Sequence, residues 1–340
     1  MLPLVSIIIP FYNEAQYLQR AVTSAIQQSY GNIEFILVND GSTDNSLEIA
    51  ESLQAGHPEI HIISTANKSL GHARNTGLAI ARGAYIFFLD SDDVLHEDAI
   101  AVLVANMGQA QSDIAIGKFH AIDTNVAPAG WKLDGSPKTG TEAALAMYQY
   151  QIAYTAWAKL YKANIVQQLR FPEGLWFEDR PFVLGYFLKS EKVSFEATSV
   201  LQYQSRPTSI TRRLISTKRI TDSYNIYLLE LATIKDHQEE PLLKKVIDRH
   251  QINAFIETLI LLYFDKDKLP ELQEVQTCFD NTIKAFKQQL AINKSTLGKR
   301  DRLDIMLLQL NKAMGWKLTF GLLPLFKRKK CKAVFKLRAS

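Results

Sequence analysis

Four short runs of apolar residues mark the first part of the chain, and each is closed by polar ones. They are Val5-Ser6-Ile7-Ile8-Ile9-Pro10, Ile33 to Val38, the weaker Ile60-His61-Ile62-Ile63, and Tyr85-Ile86-Phe87-Phe88-Leu89. Runs this short, rich in β-branched and aromatic residues and free of strict alternation, suit strands covered on both faces. Between the first two, Leu18, Ala21, Val22, Ala25 and Ile26 fall at helical spacing within Ala15 to Gln28. Ser42 or Thr43 is placed to cap a helix beginning near Asn45, and a small-residue helix runs to Ala81 and is ended by Gly83. Strands alternating with helices in this way predict an α/β unit whose parallel sheet carries helices on both faces.

Beyond residue 95 the pattern loosens. Glu97 to Met107 reads as a helix, Asp113 to Gly117 as a strand, and Asn125 to Thr141 as a Pro/Gly-rich loop. From Thr221 to Leu310 the period is helical throughout: Tyr224, Tyr227, Leu228 and Leu231 share one face, as do Ile252, Phe255, Ile256 and Leu259. Asp265 to Pro270 and Asn293 to Gly298 read as connections. The last stretch changes character. Trp316 to Phe326 is apolar and aromatic, and Lys327, Arg328, Lys329, Lys330, Lys332, Lys336 and Arg338 follow with no acid among them. Aromatic anchors beside a cationic cluster suit the surface of an anionic membrane; a basic tail or a segment packed in a homo-oligomer would carry the same residues.

Composition adds limits more than leads. A chain of 340 residues with 47% hydrophobic and 22% charged residues can bury a sizeable core, and a net charge of +4 does not point to nucleic acid. Cys278 and Cys331 have no metal-ligand spacing and no disulfide framework, as expected in a reducing compartment. The first residues lack a basic leader region, and no uncharged apolar run approaches the ~20 residues that span a bilayer. The expectation is a cytoplasmic protein, peripheral at the inner face of the cell membrane.

The candidate chemistry collects where the strands end. In an open α/β sheet ligands gather at the carboxyl edge, and the four runs deliver Tyr12 and Glu14, then Asp40, then Arg74 and Asn75, then Asp90, Ser91 and Asp92 to that edge. Carboxylates there can hold a hard divalent cation together with phosphate oxygens, although an Asp in such a turn also serves as a plain helix cap. Neither a G-x-G-x-x-G after the first strand nor a P-loop is present, which argues against a dinucleotide fold or an NTPase. Any nucleotide must then be read by side chains: an Asp can accept from the N3–H of uracil, Tyr12 can lie against the ring, and the Arg74 fork suits a diphosphate. Further along, Phe171-Pro172-Glu173-Gly174-Leu175-Trp176-Phe177-Glu178-Asp179-Arg180 places two adjacent carboxylates before a resuming helix. They are candidates for acid–base work, or simply acids favoured at a helix start.

The ordered motifs V-S-I-I-I-P-F-Y-N-E, V-N-D-G-S-T-D, G-H-A-R-N-T-G and F-L-D-S-D-D, spread over about residues 5–95, resemble the family 2 inverting glycosyltransferases of bacterial surface-polysaccharide synthesis. The resemblance implies a GT-A type, Rossmann-like mixed sheet flanked by helices, a UDP-sugar donor, and Mn²⁺ or Mg²⁺. By position it assigns the nucleotide-sugar to Pro10, Tyr12, Glu14, Asp40, Arg74, Asn75, Asp90 and Ser91, and the metal to Asp92 with Asp90. The W-A-K-L-Y segment then matches the stretch before the catalytic region, which makes Trp157 and Lys159 acceptor-side candidates; a core anchor is the plainer role for Trp157. The E-D pair matches the family's base motif, with Asp179 as general base and Glu178 positioning the acceptor. The Leu201 to Arg213 segment matches a basic-hydroxyl loop whose Arg206, Ser209 and Arg212 would meet the diphosphate. The expected organisation is a catalytic domain at 1–215 (donor half 1–95, acceptor half 96–215), a helical region at 216–312 and the basic-aromatic tail at 313–340. The acceptor would be a growing, lipid-linked glycan. Two rivals compete: a nucleotidyltransferase, which would need a glycine- and lysine-rich loop where Phe11-Tyr12-Asn13-Glu14 stands, and a non-catalytic binding subunit derived from such an enzyme.

Overall fold

The computed structural model describes residues 1–121, 130–204, 215–265, 267, 269, 271–292, 298, 301, 304 and 305. The chain divides into two compact units, Met1–Ser205 and Arg206–Ser340.

The first unit is built on an eight-stranded sheet. Strands β1 (Val5–Phe11), β2 (Ile33–Asn39), β3 (Ile60–Ser64) and β4 (Tyr85–Phe88) are the four apolar runs. They pair in parallel in the order β3-β2-β1-β4, so their carboxyl ends share an edge. All seven residues of β1 are buried, as a strand covered on both faces requires. Helix α1 (Leu18–Ile26) buries Leu18, Ala21, Val22 and Ala25, the stripe its spacing foretells. Helix α2 (Ser46–Gly56) lacks the expected cap: no side chain caps Asn45, and Asp44 instead accepts from the Ser46 backbone N–H (3.0 Å). Ser42 and Thr43 are drawn away to Asn13, the Ser42 Oγ accepting from the Asn13 N–H (3.1 Å) and the Thr43 N–H donating to Asn13 Oδ1 (2.7 Å). Helix α3 (Leu70–Ile80) lies hard against the sheet, because a Cβ on Gly77 would stand 2.5 Å from Ile8 Cγ2.

The sheet then becomes mixed. It continues from β4 through β7 (Lys159–Lys162), β6 (Ile114–Ala121) and β8 (Val193–Tyr203) to the two-residue β5 (Val94–Leu95), with β7 antiparallel to both neighbours. Helix α4 (Ala99–Ala110) precedes β6. Helix α5 (Gly140–Tyr148) starts where only a loop is expected, on a capping box in which the Thr139 and Glu142 side chains bond each other's backbone N–H. The short α6 (Ala163–Val166) follows β7, and α7 (Asp179–Lys189) opens on the carboxylate pair.

The second unit is helical, as its period implies: α8 (Thr217–Ile234), α9 (Glu240–Asp265) and α10 (Leu272–Ile292). Ile252, Phe255, Ile256 and Leu259 are buried as expected, whereas of the expected α8 stripe Tyr227 is buried and Tyr224, Leu228 and Leu231 are half-buried, with Ile220, Ile226 and Ile234 turned inward beside it. Edge-on contacts of Phe255 with Phe279 and Phe286, and of Tyr227 with Phe286, make its centre. Among the described residues no helix is long and apolar enough to cross a membrane. The basic-aromatic stretch at 313–340 lies outside the described residues.

Candidate active site

One wall of the site is formed by the loops after β1 and β2. Asn13 adopts a left-handed backbone (φ 54°), and its bonds to Ser42 and Thr43 fasten the Tyr12–Glu14 turn to the loop that follows Asp40. Tyr12 remains 44% exposed, with its ring available to a ligand, while Pro10 is buried within β1. The Glu14 backbone N–H donates to Ser46 Oγ (2.8 Å), which fixes the end of the turn. Asp40 is buried and accepts from the Lys68 backbone N–H (3.0 Å) and the Thr65 hydroxyl (3.4 Å). Burial pushes its carboxyl above the ordinary aspartate range, against those hydrogen bonds and the nearby His72.

The centre is Arg74. It is 1% exposed, and its guanidinium gives Nη2 to Asp90 Oδ1 (2.7 Å) and Nη1 to both Glu178 Oε1 (2.8 Å) and Asp179 Oδ1 (2.7 Å). The Phe171 ring lies 5.3 Å from its guanidinium carbon. The fork that the sequence offers to a diphosphate is thus committed to three carboxylates, and sequence reasoning alone missed this role because the partners stand 16, 104 and 105 residues away. One cation does not neutralise three anions, of which Glu178 and Asp179 are largely buried and Asp90 is partly exposed. Burial, with Asp179 alongside, raises Glu178 to about 7 despite Arg74, and burial likewise raises Asp179. The second Asp179 oxygen accepts from the Ala156 backbone N–H (2.9 Å).

The segment that brings Glu178 and Asp179 here is docked on α3. Asn75 donates to the Phe171 carbonyl (2.9 Å) and accepts from the Phe171 N–H (2.8 Å), as a neighbouring strand would. His72 Nδ1 lies 3.0 Å from Glu173, Ser69 Oγ accepts from the Gly174 N–H (3.0 Å), and a Cβ on Gly71 would meet the Pro172 carbonyl at 2.5 Å. Asn75, expected on the nucleotide, therefore spends its amide on this docking. Phe177 (φ 67°) and Ala158 (φ 57°) hold left-handed backbones beside the carboxylates, conformations that cost non-glycine residues about 1–3 kcal/mol and recur at functional sites.

Trp157 and Lys159 are placed differently from an acceptor surface. The Trp157 indole is 6% exposed, edge-on to Phe119 (4.5 Å) and stacked on Tyr203 (5.6 Å), so its flat face is used in the core. Lys159 is 1% exposed and donates to the Thr155 carbonyl (2.6 Å); burial lowers its ammonium to about 7 although Asp179 opposes this. Ser91 is buried in the turn after β4. The third carboxylate of that turn, Asp93, is fully buried and accepts from the Gln204 N–H (2.8 Å), and Arg20 adds bonds to the Asp92 carbonyl (3.1 Å) and Gln204 (2.8 Å). Arg206, Ser209 and Arg212 lie outside the described residues. Among the described residues no group of three or more His, Cys, Asp and Glu forms a complete metal cage. Asp90 and Asp92 at a strand end, one Asp90 oxygen already held by Arg74, instead fit a cation that takes its remaining ligands from phosphate and water.

Such an edge can do three things chemically: hold a nucleobase against the Tyr12 ring, place charge beside a diphosphate, and keep a carboxyl protonated near neutrality. A model of the family described as Glycosyl transferase family 2 matches residues 6–170. Glycosyltransferase GlyG of Streptococcus pneumoniae serotype 4 is 30% identical over 223 residues, 62% of this chain and 74% of that protein. Glycosyltransferase GlyA of the same organism is 34% identical over 218 residues, 61% of this chain, and the match spans 31% of GlyA's length. Among solved structures, residues 1–349 of S. aureus TarS in complex with UDP-GlcNAc superpose with a TM-score of 0.73 at 20% identity, covering 96% of this chain and 92% of that one.

Proposed function

The chain belongs to glycosyl transferase family 2, and from that premise we propose that it moves a hexose or N-acetylhexosamine from a UDP-sugar to a hydroxyl of a growing, lipid-linked surface glycan, with inversion at the anomeric carbon. The observation that carries the reading is Arg74, which ties Asp90 on the donor side to Glu178 and Asp179 on the other through bonds of 2.7–2.8 Å. On this reading a donor at Asp90 and a base at Asp179 would share one frame, which in-line displacement requires.

In the proposed reaction Asp179 takes the proton of the acceptor hydroxyl as that oxygen bonds to the anomeric carbon. The bond from that carbon to the diphosphate breaks, and its electron pair leaves with UDP. A raised base suits this step, since a carboxylate nearer neutrality accepts a proton more readily. Glu178, held up near 7, positions the acceptor as a hydrogen-bond donor when protonated. Tyr12 and Asp40 hold the uracil, and Arg206 and Ser209 meet the diphosphate. Asp92, with Asp90, would hold a Mn²⁺ or Mg²⁺ ion that screens charge on the departing UDP. The TarS complex supports a UDP-linked donor. The basic-aromatic stretch after Trp316 fits attachment to the anionic inner membrane face, where a lipid-linked acceptor is presented.

The test is UDP release from a panel of UDP-sugars, with Mn²⁺ and with chelator. One donor should be hydrolysed slowly and only with metal. Asp179→Asn should lower transfer by about 10²–10⁴-fold while UDP still raises the melting temperature. Retention of most of the rate would remove Asp179 from the role of base.

A further inference from the structure

Outside the carboxylate edge, the helical unit contains an open groove of about 920 Å³ between α8 and α10, within the range of ligand sites (about 300–1,000 Å³). Thr217, Thr221 and Tyr224 line it from α8, one per turn; Glu274, Thr277 and Asn281 line it from α10 at the same spacing. Those rows run along the helix axes for about 10 Å at 1.5 Å per residue.

The lining is rich in acceptors. The Thr221 hydroxyl proton goes to the Thr217 carbonyl (2.9 Å), that of Thr277 to Gln273 (2.8 Å) and that of Thr282 to Cys278 (2.8 Å). Each donor is spent inside its own helix, so these oxygens offer lone pairs only. The Glu271 and Glu274 carboxylates also line the groove and also only accept, and among the described residues no Lys or Arg lines it. Carboxylates with no described cation beside them repel phosphates, nucleotides and anionic lipids, and hydroxyl and carboxylate acceptors interleaved with the amides of Gln273 and Asn281 suit a neutral ligand rich in hydroxyls. Tyr224, whose ring stacks on Tyr227 at 5.8 Å and also lines the groove, adds an aromatic surface of the kind sugar rings pack against.

We propose that this groove is a second carbohydrate site, which holds a neutral stretch of the acceptor glycan away from the point of transfer. The proposal rests on the glycosyltransferase reading for the identity of the glycan, but the groove's binding is measured separately from the reaction. Holding a distal stretch raises the local concentration of the acceptor end through the tether.

The experiment uses the full chain saturated with UDP, so that the nucleotide site is filled, and neutral oligosaccharides of several linkages (cello-, chito- and galacto-hexaoses) as probes in saturation-transfer NMR. Oligolysine is the competing probe. At least one oligosaccharide should bind, about tenfold more weakly to Tyr224→Ala and to the near-isosteric Thr221→Val/Thr277→Val pair, while the UDP-induced rise in melting temperature is unchanged in both. Equal binding to wild type and both variants overturns the proposal, as does silence from every oligosaccharide. Oligolysine binding lost in Glu271→Gln/Glu274→Gln, without oligosaccharide binding, assigns the groove to a cationic partner and also overturns it. Groove-dependent oligosaccharide binding in a protein that hydrolyses no UDP-sugar would retain this site and remove the transferase reading.

Discussion

Two edges of the same sheet each pair a cation with carboxylates, and they treat those acids in opposite ways. At the edge where the parallel strands begin, Asp113 accepts from Lys162 Nζ (2.8 Å) on one oxygen and from the Glu191 (2.8 Å) and Lys192 (3.2 Å) backbone N–H groups on the other. These bonds and the lysine charge outweigh its burial and hold its carboxyl below the ordinary range. At the edge where the strands end, Arg74 must serve Asp90, Glu178 and Asp179 together, and the last two are raised. The cation count per acid and the depth of burial make the difference. A carboxylate that stitches strands together is satisfied; the pair that would do chemistry is left short of positive charge.

Removing the shared cation should widen that difference most. Arg74→Met leaves three carboxylates facing one another and should cost about 3–5 kcal/mol, the usual penalty for stripping one partner from buried ion pairs. Urea melts should show it, with transfer lost in the fraction that still folds. A variant melting like the wild type would mean that the three acids find other partners.

The next effect has a sign that depends on pH. Glu178 is raised from about 4.5 to about 7, so between those values the folded state holds a proton that the unfolded state lacks, and stability falls as pH rises through this window. Glu178→Gln should therefore melt about 2–4 °C above the wild type at pH 8 for each kcal/mol regained, with the gap closing by pH 5. Asp113 runs the other way: its contribution is complete above the unfolded value near 3.8 and is lost only as pH falls through its lower folded value. An acid limb of the rate profile above the ordinary carboxylate range would be the kinetic counterpart of the Asp179 shift. Least affected should be Lys162→Met. Its partner pair is partly exposed, so a loss of about 1 kcal/mol or less is expected, with unchanged transfer; a large fall in activity would show that the two edges are coupled.

Much of this was legible along the chain, for physical reasons that also explain the gaps. Strands β1, β2 and β4 announce themselves because burial on both faces keeps their runs largely apolar, the exceptions Ser6 and Glu34 bonding each other, while β3 at the end of the sheet is less buried and gives the weaker run. The two-residue β5 is too short to carry any period, and β7 is bracketed by Lys159 and Lys162, which disguise it. Helix α5 did leave a signal, the Thr139–Glu142 capping box at the end of a stretch otherwise read as loop. At the site, the positions of Asp90 and Asp179 follow from motif order, but the commitment of Arg74 to both does not, since nothing local marks a contact across about a hundred residues. Trp157 shows the converse: an indole suited to stacking on a sugar is equally suited to a core, and only its neighbours Phe119 and Tyr203 decide.

The docking of residues 171–174 on α3 also separates the parts of the site by the length of chain each must close. Its bonds join residues 96 to 105 positions apart, whereas β1–β2 and β2–β3 pair residues 28 and 25 apart and β1–β4 pair residues 80 apart. Loop-closure entropy must be met before such distant contacts reward the chain. The β1–β3 part of the nucleotide wall therefore closes over short loops, whereas Asp90 at the end of β4 and the Glu178–Asp179 pair both depend on contacts 80 or more residues apart.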